Sequence, residues 1–171
     1  LRLLDQRFNN KIRTQYSTKH SLRACLKSAD LIIGAALIPG AEAPKLVSKE
    51  DLKLMKPGAA IVDVAVDQGG CFETTHATTH EKPTYIESNI IHYCVANMPG
   101  VVARTATQAL NNATLPFILE LANKGIKKAL AENSFLLQGL NIAKGKLTCP
   151  AVGLAQNKAS LTPEDALDLI G

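Results

Sequence analysis

Two aspartates stand in "IVDVAVDQGG", residues 61–70, where five of the first seven positions are apolar. Burying an unpaired carboxylate costs several kcal/mol or forces its pKa to shift. A β-branched run that keeps Asp63 and Asp67 must therefore satisfy them or use them. Asp63 falls mid-run, where nearby backbone N–H groups or a helix start are expected to satisfy it. Asp67 falls where the run should end, beside Gln68 and the paired Gly69 and Gly70, which let backbone approach a ligand closely. A carboxylate there can hold a cationic reactant or take a proton. "VANMPG" (95–100) has the same form, with Asn97 offering an amide donor and acceptor at a strand's end.

The other reactive residues read more plainly. His76 and His80 are four apart, a spacing that suits a metal on a helix, but they lie among the threonines of "TTHATTH" and read as solvated loop residues. Cys71 and Cys94 flank the candidate loops with nothing to mark a low-pKa nucleophile, and read as small buried residues. "GLNIAKGK" imitates a phosphate loop, yet it spaces Gly139 and Gly145 one residue too far apart and lacks the Ser/Thr. It reads as a loop. No Gly-x-Gly-x-x-Gly occurs in the chain.

The elements that must position these residues follow from apolar periodicity. "LRLLDQRF" (1–8) has helical spacing, with Leu1, Leu4 and Phe8 on one side, and "KIRTQYS" (11–17) alternates as a short strand. "TKHSLRACLKSAD" is helical with Leu22, Cys25 and Leu26 inward. "LIIGAA" (31–36), "AAIVDVAV" (59–66) and "NIIHYCVAN" (89–97) read as buried strands, and "SKEDLKLM" as a short helix capped by Ser48. Strands alternating with helices predict βαβ units on a parallel sheet, with ligands at the carboxyl ends of the strands. That rule selects Ala36–Leu37, Ala65 to Gln68, and Val95 to Met98. After Pro99-Gly100 the pattern turns helical: one long helix over 104–124, with Pro116 expected to kink or interrupt it, then another after Gly125. "TPEDALDLIG" closes the chain with Thr162 as cap and Pro163 in the first turn. A domain change is placed near 100–104.

Composition narrows the function classes. Hydrophobic residues at 46% against 20% charged are a globular balance. The formal charge of +4 is mild, its lysines are scattered, and aromatics are 4% with no Trp, which argues against a nucleic-acid partner. The longest uncharged apolar stretch, 31–41, is about half a membrane span and contains Pro39, so no membrane helix is expected. Four dispersed cysteines without a Cys-x-x-Cys pair suggest a reduced, cytoplasmic setting and no metal site. The start has neither Met nor a signal-peptide layout, and reads as a processed chain or a fragment.

At four stretches the sequence resembles the alanine dehydrogenase family: "ADLIIGAALIPGAEAPKLV" (29–47), "MKPGAAIVDVAVDQGGCFE" (55–73), "HYCVANMPG" (92–100) and "TQALNNATLPFILELANKG" (107–125), in that family's order and spacing. The related nucleotide domain of proton-translocating transhydrogenase, a non-catalytic NAD(H)-binding module, is the alternative. Its matching stretch tends to read GGN after a residue other than Asp, whereas this chain has Asp67-Gln68-Gly69-Gly70-Cys71.

The resemblance implies an α/β fold: a partial Rossmann-type doubly wound parallel sheet, followed by a mainly helical C-terminal segment belonging to the substrate domain. Residues 1–103 would be the C-terminal part of the NAD-binding domain, without its Gly-rich first βα unit. Residues 104–171 would be a long linking helix and the C-terminal part of the substrate domain. It implies an NAD-dependent oxidoreductase that interconverts L-alanine with pyruvate and ammonia, cytoplasmic and commonly a homohexamer. The family's catalytic His and its substrate-binding Lys and Arg have no counterpart here, so this chain would be inactive alone. What carries over is Asp67, matching the catalytic aspartate. Ser17, Ala36, Leu37, Val64, Ala65, Val66, Asp67, Val95, Ala96, Asn97 and Met98 match positions lining the NAD site.

Overall fold

The computed structural model describes residues 1–9 and 11–170. The chain divides into two compact units: Leu1–Leu37 with Ala43–Ala96, and Ile38–Glu42 with Asn97–Gly171.

The first unit carries helices α1 (Arg2–Phe8) and α2 (Lys19–Leu26) and strands β1 (Leu31–Gly34), β2 (Ala60–Asp63), β3 (Thr84–Glu87) and β4 (Ile90–Tyr93). The sheet order is β1-β2-β4-β3. β1, β2 and β4 are parallel, with Ile32 opposite Ile61 and Ile61 opposite His92. The predicted parallel sheet is therefore present, and an antiparallel edge strand joins it through β3. β3 was not expected from the sequence. Its signal was the Ser88-Asn89 pair between Glu87 and Ile90, which are register partners. Both turn residues take positive φ, 53° and 63°, as a two-residue hairpin requires.

Burial follows the apolar pattern. Leu26, Val47, Leu52, Met55, Ile61, Phe72 and Ile90 form one core with Cys71. Helix α2 begins at a capping box in which Thr18 and Ser21 satisfy each other's backbone N–H groups. Of its predicted inward residues, Leu26 is buried and Leu22 packs against the core, whereas Cys25 is exposed. Helix α1 forms as expected, though none of its residues is buried. The "SKEDLKLM" segment is a 3₁₀ turn over Glu50–Leu54 rather than an α-helix. Ser48 Oγ still accepts from the Asp51 N–H, and Arg23 Nε donates to Asp51 Oδ1 at 2.6 Å.

Residues 11–17 do not form the predicted strand. Alternation alone does not make a strand, because the ladder needs a partner, and this segment pairs with none of the described strands. Local bonds hold it instead: Ser21 Oγ donates to Tyr16 O at 2.7 Å.

The second unit carries helices α3 (Ala103–Lys124), α4 (Ile126–Glu132) and α5 (Ser134–Gln138), strands β5 (Ile142–Ala143) and β6 (Lys146–Leu147), and helices α6 (Pro150–Ala155) and α7 (Pro163–Leu167). Pro116 neither ends nor interrupts α3. It removes one backbone donor from a 22-residue helix whose remaining bonds hold the segment together. Within the stretch read as a loop, Ile142–Ala143 pairs with Lys146–Leu147 across a two-residue turn, with Lys144 and Gly145 both at positive φ. Thr162 Oγ1 caps α7 by accepting from the Asp165 N–H, as its sequence predicts.

Candidate functional site

β2 ends at Asp63, earlier than the sequence run suggested, so Asp63 closes the strand rather than sitting within it. The reason lies in its side chain. Asp63 Oδ1 accepts from the Ala65 N–H at 3.1 Å, pulling the chain out of extended geometry two residues on. Asp63 Oδ2 accepts from the Cys71 N–H at 2.8 Å and from the Thr75 hydroxyl. The carboxylate is fully buried and satisfied by three donors, which is the structural role expected of it.

The segment that Asp63 pins at both ends carries Asp67. Val66 to Gln68 form a single 3₁₀ turn, and Gly69 ends it at φ 90°. Lys45 Nζ donates to the Gly69 carbonyl, and the Gln68 carbonyl accepts from the Ala43 N–H at 2.7 Å. The backbone just after Asp67 is thus held by Ala43 and Lys45, while the Asp67 side chain is exposed. Asp63 is consumed by the fold. Asp67 is left to solvent.

Asp67 lines a cleft of about 270 Å³ at the carboxyl ends of β1 and β2. Ala35, Ala36, Leu37, Val64, Ala65 and Gln68 complete its wall. Six residues selected from the sequence therefore meet here: Ala36, Leu37, Val64, Ala65, Asp67 and Gln68. Val66, between them in sequence, is buried. Ser17, Val95 and Ala96 belong to the same unit but do not line this cleft. Val95 is buried and bridges to Thr78. Asn97 and Met98 belong to the second unit, where Asn97 takes a left-handed conformation before the 3₁₀ turn Met98–Val102. Ala35 is the lining residue absent from the sequence-based set.

A polar network surrounds Tyr85. Tyr85 stacks between His76 and His92, at centroid distances of 3.7 and 4.8 Å. The Tyr85 hydroxyl donates to Thr74 O at 2.8 Å, and burial pushes the phenol pKa up. His92 Nδ1 donates to Ile90 O at 3.0 Å, so its Nε2 is left to accept from the Thr74 hydroxyl at 2.8 Å. Burial holds His92 below its ordinary pKa of 6.5. Burial likewise raises the Cys71 and Cys94 thiols, which fits packing residues rather than nucleophiles. His76 is exposed against Tyr85, and among the described residues no cluster of His, Cys, Asp or Glu could hold a metal ion. No helix, among the described residues, is long and apolar enough to cross a membrane.

A strand-end cleft with one exposed carboxylate is compatible with many reactions, so comparison with known proteins decides the family. Residues 1–150 match the family described as alanine dehydrogenase/PNT, C-terminal domain. The chain belongs to that family. Alanine dehydrogenase of Halomonas elongata is 53% identical over 171 residues, covering 100% of this chain and 45% of that protein. Alanine dehydrogenase of Methanococcus maripaludis is 52% identical over 169 residues, covering 98% of this chain and 45% of that protein. A solved L-alanine dehydrogenase structure superposes with TM-score 0.76 at 46% identity, over 91% of this chain and 43% of that one. The chain thus spans less than half the length of these relatives, and its α/β architecture is that of the solved alanine dehydrogenase.

Proposed function

We propose that the complete protein carrying this chain is an NAD-dependent alanine dehydrogenase, interconverting L-alanine with pyruvate and ammonia. The observation that carries this reading is 53% identity to a curated alanine dehydrogenase along the whole chain. The cleft supports it. Ala35, Ala36, Val64 and Ala65 give a wall of small apolar side chains, which leaves room for a flat ring at the strand ends. Those residues, with Leu37, would hold the nicotinamide. When bound, that cofactor supplies the acceptor and donor of hydride.

Asp67 then acts on the substrate side. Its carboxylate holds the amine nitrogen, or the water that attacks at the same carbon, and takes the proton released. Placing it on a pinned 3₁₀ turn fixes its position without using its oxygens, because Asp63 and Lys45 hold the backbone. The same reading takes residues 1–103 as part of the NAD-binding domain. It takes residues 104–171 as the linking helix and part of the substrate domain, in a homo-oligomer.

The test is L-alanine-dependent NADH formation by the complete polypeptide, with NADH oxidation on pyruvate and ammonia as the reverse assay. Both activities are expected. Absence of both from a folded protein overturns the reading. The 171 residues alone are expected to show neither activity, since the family's His, Lys and Arg have no counterpart in them.

A further inference from the structure

The peptide joining Gly69 to Gly70 follows directly on the turn that carries Asp67, between two residues at positive φ, 90° and 81°. Paired glycines impose little steric preference on the peptide between them, so hydrogen bonds must set its orientation. Its N–H donates to Ala65 O at 3.0 Å and closes the turn. In a trans peptide the carbonyl points the opposite way. No backbone N–H among the described residues donates to that carbonyl. The Lys45 ammonium does, and at 3.4 Å it also reaches the Phe72 carbonyl.

Lys45 is brought there by its own backbone. The Ala43 N–H donates to Gln68 O at 2.7 Å and the Leu46 N–H to Cys71 O at 2.8 Å, so residues 43–46 run beside 68–71. Ala43 and Val47 are buried on either side of it, whereas Lys45 is exposed. Its cation has no carboxylate partner, since none of the ion pairs among the described residues includes it. An exposed lysine ordinarily keeps its rotamer freedom in water, and this one gives it up to hold two backbone carbonyls. Asp67 stands two residues before the carbonyl that Lys45 holds.

The geometry points to Lys45 as a positioning residue for the reaction: through the Gly69 carbonyl, its ammonium locks the exit of the turn and so holds the Asp67 carboxylate in place on the cleft. The inference rests on the alanine dehydrogenase reading, in which Asp67 acts on the substrate. Lys45 is not part of the cleft wall, so its effect passes through the turn and bears on the chemical step rather than on dinucleotide binding. A misplacement of about 1 Å in a reacting group can cost on the order of a hundredfold in rate.

The experiment compares four forms of the complete protein: unsubstituted, Lys45→Met, Asp67→Asn and the double variant. Methionine keeps most of the apolar stem and removes the ammonium. L-Alanine oxidation gives kcat, and NADH binding is titrated by fluorescence. Lys45→Met is expected to lower kcat by about tenfold to a hundredfold, with NADH affinity within about threefold of the unsubstituted protein. Retained NADH affinity also reports that the variant is folded. In the Asp67→Asn background the same substitution is expected to change kcat by less than about threefold, because the group that Lys45 positions is already gone. An unchanged kcat in Lys45→Met overturns the inference. So does an equal loss in both backgrounds, which marks an effect that bypasses Asp67, or a loss of NADH affinity as large as the loss of kcat. If the unsubstituted protein neither oxidises L-alanine nor aminates pyruvate, the alanine dehydrogenase reading itself fails, and the inference falls with it.

Discussion

Thr75 donates its hydroxyl to Asp63, closing a ring of hydrogen bonds that ties the segment after β2 back to the end of that strand. With the Ala65 and Cys71 N–H groups on the same carboxylate, Asp63 fixes both flanks of the turn that presents Asp67.

Removing members of this ring should have graded costs. Thr75→Val deletes one hydroxyl donor to a carboxylate and is expected to destabilise by about 1.5–3 kcal/mol. Asp63→Ala strands two backbone N–H groups and opens a cavity, for a larger loss of about 3–5 kcal/mol. Denaturant unfolding of the complete protein checks the order. Equal effects would mean that Asp63 is not the hub.

The adjacent glycines are not equivalent. Both take positive φ, 90° at Gly69 and 81° at Gly70, but a Cβ at Gly69 meets open space. At Gly70 it would collide with the Thr75 side chain and the Asp63 carboxylate. Gly69→Ala is therefore expected to cost only the backbone strain, about 1–2 kcal/mol. Gly70→Ala should cost clearly more and lower the melting temperature further. Matching melting temperatures would contradict the packing at Gly70.

His92 predicts a pH dependence whose sign follows from its burial. Its pKa is lowered in the folded chain below 6.5, so on acidification the unfolded chain takes up this proton first. Stability should hold above pH 6.5 and fall as the pH drops from there toward the lowered folded value. Melting curves across that range check it. His92→Gln should flatten this part of the profile, and an unchanged slope would contradict the assignment.

Much of the site was legible because it sits on the strongest local signals. The runs at 31–36 and 59–66 locate β1 and β2, and the strand-end rule then puts Ala36, Leu37, Ala65, Asp67 and Gln68 in one place. The split between the two aspartates was legible in kind but not in geometry. β2 stops at Asp63 because the carboxylate bends the chain through the Ala65 N–H, which apolar periodicity does not register. Strand β3 escaped because it is four residues long, half polar, and defined by its pairing with β4. Residues 11–17 failed the opposite way, alternating in sequence with no partner among the described strands.

Asp63 is buried and satisfied, and Asp67 stands exposed on the cleft. The most direct measurement is steady-state kinetics and NADH binding of Asp67→Asn in the complete protein. The substitution keeps size and polarity while removing the base. It is expected to lower kcat by about two to four orders of magnitude, the usual worth of a general base, and to leave NADH affinity within about threefold. Unchanged turnover in Asp67→Asn would contradict the assignment of Asp67 to the chemistry.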